Sequence, residues 1–379
     1  MYRRDRTVKK DNTTDAFWAL TKAGLWEQEV QLASFKNINY NQIYQLSEEQ
    51  SVVGLIAAGL ERVVDTKVPK EIVLQFVGQT LQLEQQNMAM NNFLAELTEK
   101  LRNGEIYTLL VKGQGVAQCY ERPLWRASGD IDFLLSESNY DKAKRFLLPI
   151  ASSVEIEGKQ GLHLGMTIES WVVELHGGLR SGLSSRVDRG IEETLKEVFF
   201  GGDVRSWMNG QSQVFLPGEN SDVIFIFTHF LKHFYKEGLG IRQICDWCRL
   251  LWTYKETIDR DRLKNILKRM GLVSEWKAFG AFAVEYLGMP TEAMPFYSSK
   301  AKWKRKASSI CDYIIKVGNF GKNRDLSYFA KYPYLVRKLI SLSRRFGVIL
   351  SHTKIFPLDS IRFFPNMVLY GLRNAARGE

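Results

Sequence analysis

The stretch Leu110–Leu135, LVKGQGVAQCYERPLWRASGDIDFLL, decides the fold because it joins two short apolar runs through a turn that contains two glycines. The first run, residues 106–111, ends at Lys112-Gly113, and the second, residues 130–135, begins with Asp-Ile-Asp. Each run is short and bounded by turn residues, which is typical of a buried strand. With a short helix between them, the stretch predicts a strand–helix–strand unit.

The flanking sequence places this unit in an α+β fold. A helix is predicted over residues 138–149, and three more strand candidates follow before residue 180. Residues 14–103, and the chain beyond about residue 190, carry apolar side chains at the three-and-four spacing of helices. We therefore predict a small mixed sheet with helices, embedded between N-terminal and C-terminal helical regions.

The change of pattern and of charge divides the chain into four predicted segments. They are an N-terminal helical region (1–103), an α/β core (104–180), a helical domain (181–299) and a basic helical C-terminal segment (300–379). The last segment holds 17 Lys and Arg against 4 Asp and Glu, a charge of +13 in a chain whose net charge is +10. Such a segment favours an anionic partner, for instance a nucleic acid or a membrane surface, although solvated basic helices have the same composition.

The sequence does not support a membrane-spanning protein, a disulfide-bonded protein, a hydrolase or a P-loop protein. No apolar run approaches the roughly 18 residues of a membrane-spanning helix. The four cysteines lack disulfide-like spacing, which favours the cytoplasm, with the basic segment available for peripheral contact with a membrane. Neither the Gly-x-Ser-x-Gly of hydrolases nor the Walker pattern of P-loop proteins occurs.

The Asp-Ile-Asp triplet points to metal chemistry. Residues i and i+2 of a strand face the same side, so Asp130 and Asp132 project together. Two adjacent carboxylates repel each other unless a proton or a cation intervenes, and Mg²⁺ prefers carboxylate oxygens. Glu174 stands in the middle of the apolar run WVVELH, where a charge is costly without a partner. We therefore predict Glu174 as a third carboxylate on a neighbouring strand.

The glycines supply a second candidate feature. A strand that ends in a glycine turn and leads into a helix presents backbone N–H groups to an anion, and glycine lets a phosphate approach closely. Lys112 and Arg126 are nearby cations that could neutralise a triphosphate. The candidate nucleotide-binding residues are Lys112, Gly113, Gln114, Gly115, Arg126 and Gly129.

The order of these features resembles the nucleotidyltransferase fold of the DNA polymerase beta superfamily. The corresponding residues are Val111, Gly113 and Gln114, then Asp130-Ile131-Asp132, then Glu174. Gln114 departs from the pattern, which has a small residue there, and the spacer is slightly long. The fuller string is similar to a bacterial family of uncharacterised nucleotidyltransferases, through Lys112-Gly113, Tyr120, Pro123, Arg126, Gly129-Asp130-Ile131-Asp132, Glu174-Leu175-His176, His229, His233, Arg242 and Asp246.

This resemblance implies transfer of a nucleoside monophosphate from an NTP to an acceptor hydroxyl or phosphate. Asp130, Asp132 and Glu174 would be the catalytic and metal-binding residues for two Mg²⁺ ions, which Mn²⁺ could replace, and Glu174 could act as a base. Residues 181–299 would close the active-site cleft. The implied acceptor is a small molecule or glycan precursor of surface polysaccharide metabolism. The alternatives are nucleotidylation of a protein or RNA docked on the basic segment, and a non-catalytic nucleotide-binding or assembly protein.

Five further residues are candidates for the substrate cleft: His176, His229, His233, Arg242 and Asp246. His229 and His233 are four apart and share a helix face, so they could line the cleft, pack internally or hold a transition metal together with His176. Arg242 and Asp246 are also four apart, so they could pair along their helix, orient His233 or bind substrate.

Overall fold

The computed structural model describes residues 12–157, 162–236, 238–319 and 351–376, together with the single residues Val336 and Gly347. It confirms the α+β class. Its helices are α1 (Asn12–Trp26), α2 (Tyr40–Glu49), α3 (Val53–Glu61), α4 (Lys70–Asn103), α5 (Gly113–Ala117), α6 (Glu137–Leu147), α7 (Ser185–Phe200), α8 (Glu219–Lys236), α9 (Ile241–Thr253), α10 (Arg260–Met270), α11 (Val273–Leu287), α12 (Ala301–Val317) and α13 (Pro357–Ala376).

The central sheet is mixed, as predicted, and has five strands in the order β1-β2-β5-β4-β3. The strands are β1 (Leu109–Val111), β2 (Asp130–Leu134), β3 (Ser153–Val154), β4 (His163–Ile168) and β5 (Trp171–His176). Strands β2 and β5 run parallel, and the other neighbours are antiparallel. The Asp-x-Asp strand therefore lies beside the strand that carries Glu174.

A sharp turn joins β1 to α5. Lys112 has φ of 59° and ψ of −146°, and Gly113 has φ of 41°. A positive φ is strained for a residue with a side chain, and such strain clusters at functional sites. Two consecutive positive φ values reverse the chain between strand and helix, and this places Lys112 at the edge of the sheet beside β2.

Two apolar cores hold the molecule together. The larger joins α1–α3 with α7–α12. The smaller packs the sheet against the C-terminal half of α4 and against α6, and it includes Ile131 and Phe133 of β2. Because Ile131 and Phe133 face this core, Asp130 and Asp132 face the opposite side of the sheet.

The prediction that the chain is helical beyond about residue 190 is wrong for one segment. Strands β6 (Val204–Asn209) and β7 (Ser212–Pro217) form a separate two-stranded sheet. Their tight turn contains Gly210 with φ of 62°. Val214 and Leu216 of β7 belong to the smaller core, so this hairpin packs with the sheet rather than with the surrounding helices.

The basic C-terminal segment is helical where the structure describes it, in α12, in residues 351–355 and in α13. Residues 320–335, 337–346, 348–350 and 377–379 of the predicted segment 300–379 lie outside the described residues. Within the ranges given above, no helix is long and apolar enough to cross a membrane.

Candidate active site

Three carboxylates converge on one face of the sheet. Asp132 is the direct register partner of Glu174 across the parallel pair β2 and β5, and Asp130 lies two residues before Asp132 on the same face. Carboxylate oxygens of all three residues lie within 4.8 Å of one another. This spacing suits oxygen ligands around a divalent cation, so the residues present fit Mg²⁺.

Two cationic or proton-bearing side chains contact the most buried of these carboxylates. Lys112 Nζ donates to Asp132 Oδ1 at 2.7 Å, and His176 Nε2 lies 2.7 Å from the same oxygen. Burial of Asp132 opposes its ionisation, but Lys112 and His176 outweigh it and hold the pKa of Asp132 below its usual value. Asp132 in turn helps to raise the pKa of both His176 and Lys112, against the effect of their burial.

The other two carboxylates respond to the site in opposite ways. Burial, and then the negative charge of Asp132, raise the pKa of Asp130. Burial also opposes ionisation of Glu174, but hydrogen bonds with His163 and His176 lower the pKa of Glu174 far below its usual value. Glu174 therefore stays ionised, which suits a metal ligand better than a general base.

Arg126, which was predicted to bind phosphate, forms an ion pair with Asp246 instead. Its Nε and Nη2 donate to the two carboxylate oxygens of Asp246 at 2.8 and 2.7 Å, and Tyr120 donates its hydroxyl to Asp246 Oδ1 at 2.8 Å. Arg126 Nη1 donates to Ser128 Oγ at 2.7 Å. Of the alternatives predicted for Arg242 and Asp246, pairing along α9 is not observed within the described residues, where Asp246 pairs with Arg126 instead.

Arg242 is the guanidinium near the carboxylates that lacks an acidic partner within the described ranges. It donates from Nη1 to the Ala127 carbonyl, and its buried Nε has no hydrogen-bond acceptor in the part of the chain that the structure describes. Burial, followed by the positive charge of Arg126, lowers the pKa of Arg242, while Asp246 and Asp130 oppose this. A buried donor without an acceptor is costly, so this side chain is suited to an incoming anion.

The glycine turn is anchored by the residue that departs from the superfamily pattern. Gln114 is 1% exposed, and its Nε2 donates to Asn87 Oδ1 at 2.8 Å. Asn87 of α4 donates in turn to the carbonyls of Leu124 and Arg126, at 2.7 and 2.8 Å. The side chain of Gln114 thus points away from the site and ties the turn to α4.

Gly129, another predicted nucleotide-binding residue, lies beside free space. A methyl group on Gly129 would meet no atom within 4 Å.

The paired histidines of α8 lie near the carboxylates. Their Nε2 atoms are 3.0 Å apart. Burial lowers the pKa of His229 well below its usual value, and the charge of Lys112 contributes next. His229 is therefore neutral at pH 7 and lies close enough to Lys112 for the two side chains to interact, whereas no described metal-ligand cluster includes His229 or His233.

One residue of the site was not predicted. His163 on β4 pairs in register with His176 on β5, and His163 Nε2 lies 3.1 Å from Glu174 Oε2. The sequence offers one signal for it: the alternating run HLGMTI can pair with WVVELH as a hairpin. Only the register of that hairpin brings His163 to Glu174.

Comparison with known proteins agrees with this geometry. A family model described as an uncharacterised nucleotidyltransferase matches residues 36–288, more than half of the chain. Neither the curated proteins nor the solved structures give a significant match. The matched range contains β1 to β7 and every candidate residue of the site. The chain therefore belongs to this family of uncharacterised nucleotidyltransferases.

Proposed function

We propose that the protein is a Mg²⁺-dependent enzyme that moves a nucleoside monophosphate from an NTP to an acceptor hydroxyl or phosphate. The observation that carries the proposal is the convergence of Asp130, Asp132 and Glu174 within 4.8 Å on adjacent parallel strands. The placement in the polymerase beta superfamily, and the reaction itself, are inferred from this arrangement together with family membership.

Asp130, Asp132 and Glu174 would hold the metal ions. Bound Mg²⁺ supplies charge neutralisation and polarisation of the reacting phosphate, and Mn²⁺ could take the same place. The acceptor oxygen would bond to the α-phosphorus as the bond to the leaving pyrophosphate breaks, and a hydroxyl acceptor would release its proton to solvent. The pKa values of Asp132 and Glu174 are lowered, which favours the ionised form that a metal ligand needs, whereas the pKa of Asp130 is raised.

The triphosphate would lie between the glycine turn and Arg242. Lys112 and Gly113 have positive φ values, and a Cβ on Gly113 would lie 3.4 Å from the Asp130 carbonyl oxygen, so the turn at Gly113 adjoins the start of β2, whereas Gly115 packs against Leu216. Arg242 supplies the guanidinium with a buried Nε that lacks an acceptor in the described residues. In this assignment Arg126 positions the loop before β2 and Asp246 holds Arg126, while Arg242 meets the phosphates.

For the acceptor we retain the class that the family resemblance implies, a small molecule or glycan precursor of a surface polysaccharide. We also retain the four proposed segments, with one change. Strands β6 and β7 of the 181–299 segment pack against the sheet of the 104–180 segment, so they belong with that sheet. The helices of this segment bring Arg242 and His229 to the carboxylates, which supports its role in closing the cleft.

One observation favours a macromolecular acceptor as the second candidate. Lys302 and Arg305 are exposed and three apart on α12, and Lys302 Nζ lies 4.6 Å from the centre of the Trp303 ring, whereas Lys304 pairs with Glu285. A basic face of this kind could dock an RNA or an acidic protein, which would then receive the nucleotide. The intact carboxylate group disfavours the third alternative, a non-catalytic nucleotide-binding protein.

The test is transfer of label from each of the four α-³²P NTPs, with Mg²⁺ and a cell extract. Label on a small metabolite supports the first candidate, and label on protein or RNA supports the second. Asp132→Asn should abolish transfer, whereas Asp261→Asn, at an exposed carboxylate of α10, should not. Absence of transfer with every NTP, or equal transfer by Asp132→Asn, contradicts an enzymatic role.

A further inference from the structure

A second group of potential metal ligands lies beside the carboxylates and contains nitrogen. His163 and His176 are register partners on β4 and β5, and Glu174 is two residues before His176, so all three side chains share one face of the sheet. Both imidazoles use Nε2 toward the same carboxylate oxygen, Glu174 Oε2, at 3.1 and 3.3 Å. One donor atom from each residue lies within 4.8 Å of the others.

These distances match the geometry of a transition-metal site. Tetrahedral bonds of about 2.0–2.2 Å to nitrogen and oxygen place neighbouring ligand atoms about 3.3–3.6 Å apart. The two measured nitrogen–oxygen distances, 3.1 and 3.3 Å, are close to such edges. A set of two imidazoles and one carboxylate suits Zn²⁺, Co²⁺, Fe²⁺ or Mn²⁺, whereas Mg²⁺ prefers oxygen ligands alone.

We propose that His163, Glu174 and His176 form a separate binding site for a divalent transition-metal ion. The side chain of His163 is 40% exposed, so the site opens to solvent, and water or a further ligand can complete the coordination. Asp132 Oδ1 lies 2.7 Å from His176 Nε2, so binding of the ion by this nitrogen replaces its hydrogen bond with Asp132. The site thus adjoins the oxygen-only group and shares Glu174 with it.

Sharing of one carboxylate couples the two sites. Two divalent cations that use Glu174 together repel each other, so an ion at the histidine site weakens binding of Mg²⁺ at the oxygen site. Mg²⁺ weakens binding at the histidine site by the same factor, because coupling between binding sites is reciprocal. This coupling rests on the proposed Mg²⁺ site, whereas binding of the transition metal does not.

The experiment uses Co²⁺ as a spectroscopic probe with the purified full-length chain, without NTP. Wild type should bind one equivalent of Co²⁺ with visible ligand-field bands typical of nitrogen and oxygen coordination. His163→Ala should lower the Co²⁺ affinity at least tenfold. His163→Gln should do the same, and a thermal unfolding curve without metal verifies that both variants fold.

Two further variants locate the site. His229→Ala and Asp130→Asn should both retain the Co²⁺ bands, because neither residue belongs to the proposed ligand set. Absence of Co²⁺ bands in wild type, unchanged affinity in both His163 variants, or loss of the bands in His229→Ala overturns the proposal. The readout does not involve nucleotide transfer, so its failure is distinguishable from failure of the proposed function.

Discussion

Arg126 and Asp246 form a two-point ion pair between the loop before β2 and helix α9, with nitrogen–oxygen distances of 2.8 and 2.7 Å. The two side chains are 5% and 8% exposed, and 120 residues separate them along the chain. Burial opposes the charge on Arg126, but Asp246 outweighs it and raises the pKa of Arg126. The pair therefore holds the loop before β2, the strand that carries Asp130 and Asp132, against helix α9.

Asp246→Ala should be strongly destabilising, because it leaves Arg126 buried without its counter-ion and Tyr120 without an acceptor. Loss of one partner of a buried ion pair costs about 3–5 kcal/mol of unfolding free energy. Urea unfolding provides the measurement. Glu193→Ala, which breaks the exposed pair with Arg269, is the control and should cost less than about 1 kcal/mol. Equal losses in the two variants would contradict the assigned role of the buried pair.

Arg242→Met should separate binding from stability. Removal of a buried charge without an acidic partner should leave the melting temperature unchanged or raise it. The same change should weaken NTP binding by about tenfold or more, since a charge-assisted contact with phosphate contributes about 1.5–3 kcal/mol. Calorimetric titration with a non-hydrolysable NTP analogue measures the affinity. Arg189→Met, at an exposed position of α7, is the matched control. Unaltered NTP affinity in Arg242→Met would remove Arg242 from the phosphate site.

Gln114→Ser, which introduces the small residue typical of the superfamily, should destabilise this chain. It removes the donor to Asn87 Oδ1 and leaves a buried cavity. We expect a loss of about 1–3 kcal/mol. Asn87→Ala should couple to it by about 0.5–3 kcal/mol in a double-mutant cycle, because the two residues share one hydrogen bond. Gln85→Ser, exposed on α4, is the control. Strict additivity of the two changes would show that the link between turn and helix contributes nothing.

Glu275 should make stability depend on pH. It is fully buried on α11, accepts a hydrogen bond from the Tyr235 hydroxyl at 3.2 Å, and its pKa rises to about 8, through burial and then the charge of Asp359. Folded protein therefore holds a proton that the unfolded chain releases above its ordinary pKa of 4.5. This contribution to stability is complete below pH 4.5 and is lost as pH rises to about 8.

The expected slope from Glu275 alone is at most about 1.4 kcal/mol per pH unit within that window. Urea unfolding at pH 5.5, 7.0 and 8.5 should therefore show a smaller decline for Glu275→Gln than for wild type. Glu256→Gln, at an exposed position, should follow wild type. Parallel curves for wild type and Glu275→Gln would show that Glu275 is ionised in the folded protein.

The sheet and its carboxylates could be predicted because both depend on local pattern. The period of two places Asp130 and Asp132 on one face, and the cost of a charge in an apolar strand identifies Glu174. The β6–β7 hairpin also had a local signal, Gly210 in a tight turn between alternating residues, which the helical spacing around it obscured.

The partners of the basic residues could not be predicted in this way. Arg126 and Arg242 cannot be told apart by their side-chain chemistry. Tertiary packing pairs Arg126 with Asp246, whereas Arg242 has no acidic partner within the described residues. Spacing of four residues allowed Arg242 to pair with Asp246 along their helix, whereas Arg126 reaches Asp246 from a loop. The structural role of Gln114 likewise depends on its hydrogen bond to Asn87, which lies 27 residues earlier in the chain.

Lys112 places an ammonium beside the carboxylates of the proposed metal site. This ammonium contacts Asp132 at 2.7 Å and so neutralises part of their negative charge. Folding of the protein and binding of the proposed metal are therefore expected to be separable, unlike in small domains that fold only around their ion. The proposed Mg²⁺ would displace the Lys112 ammonium from Asp132, and Lys112 would then be free to turn toward the phosphates of the proposed NTP.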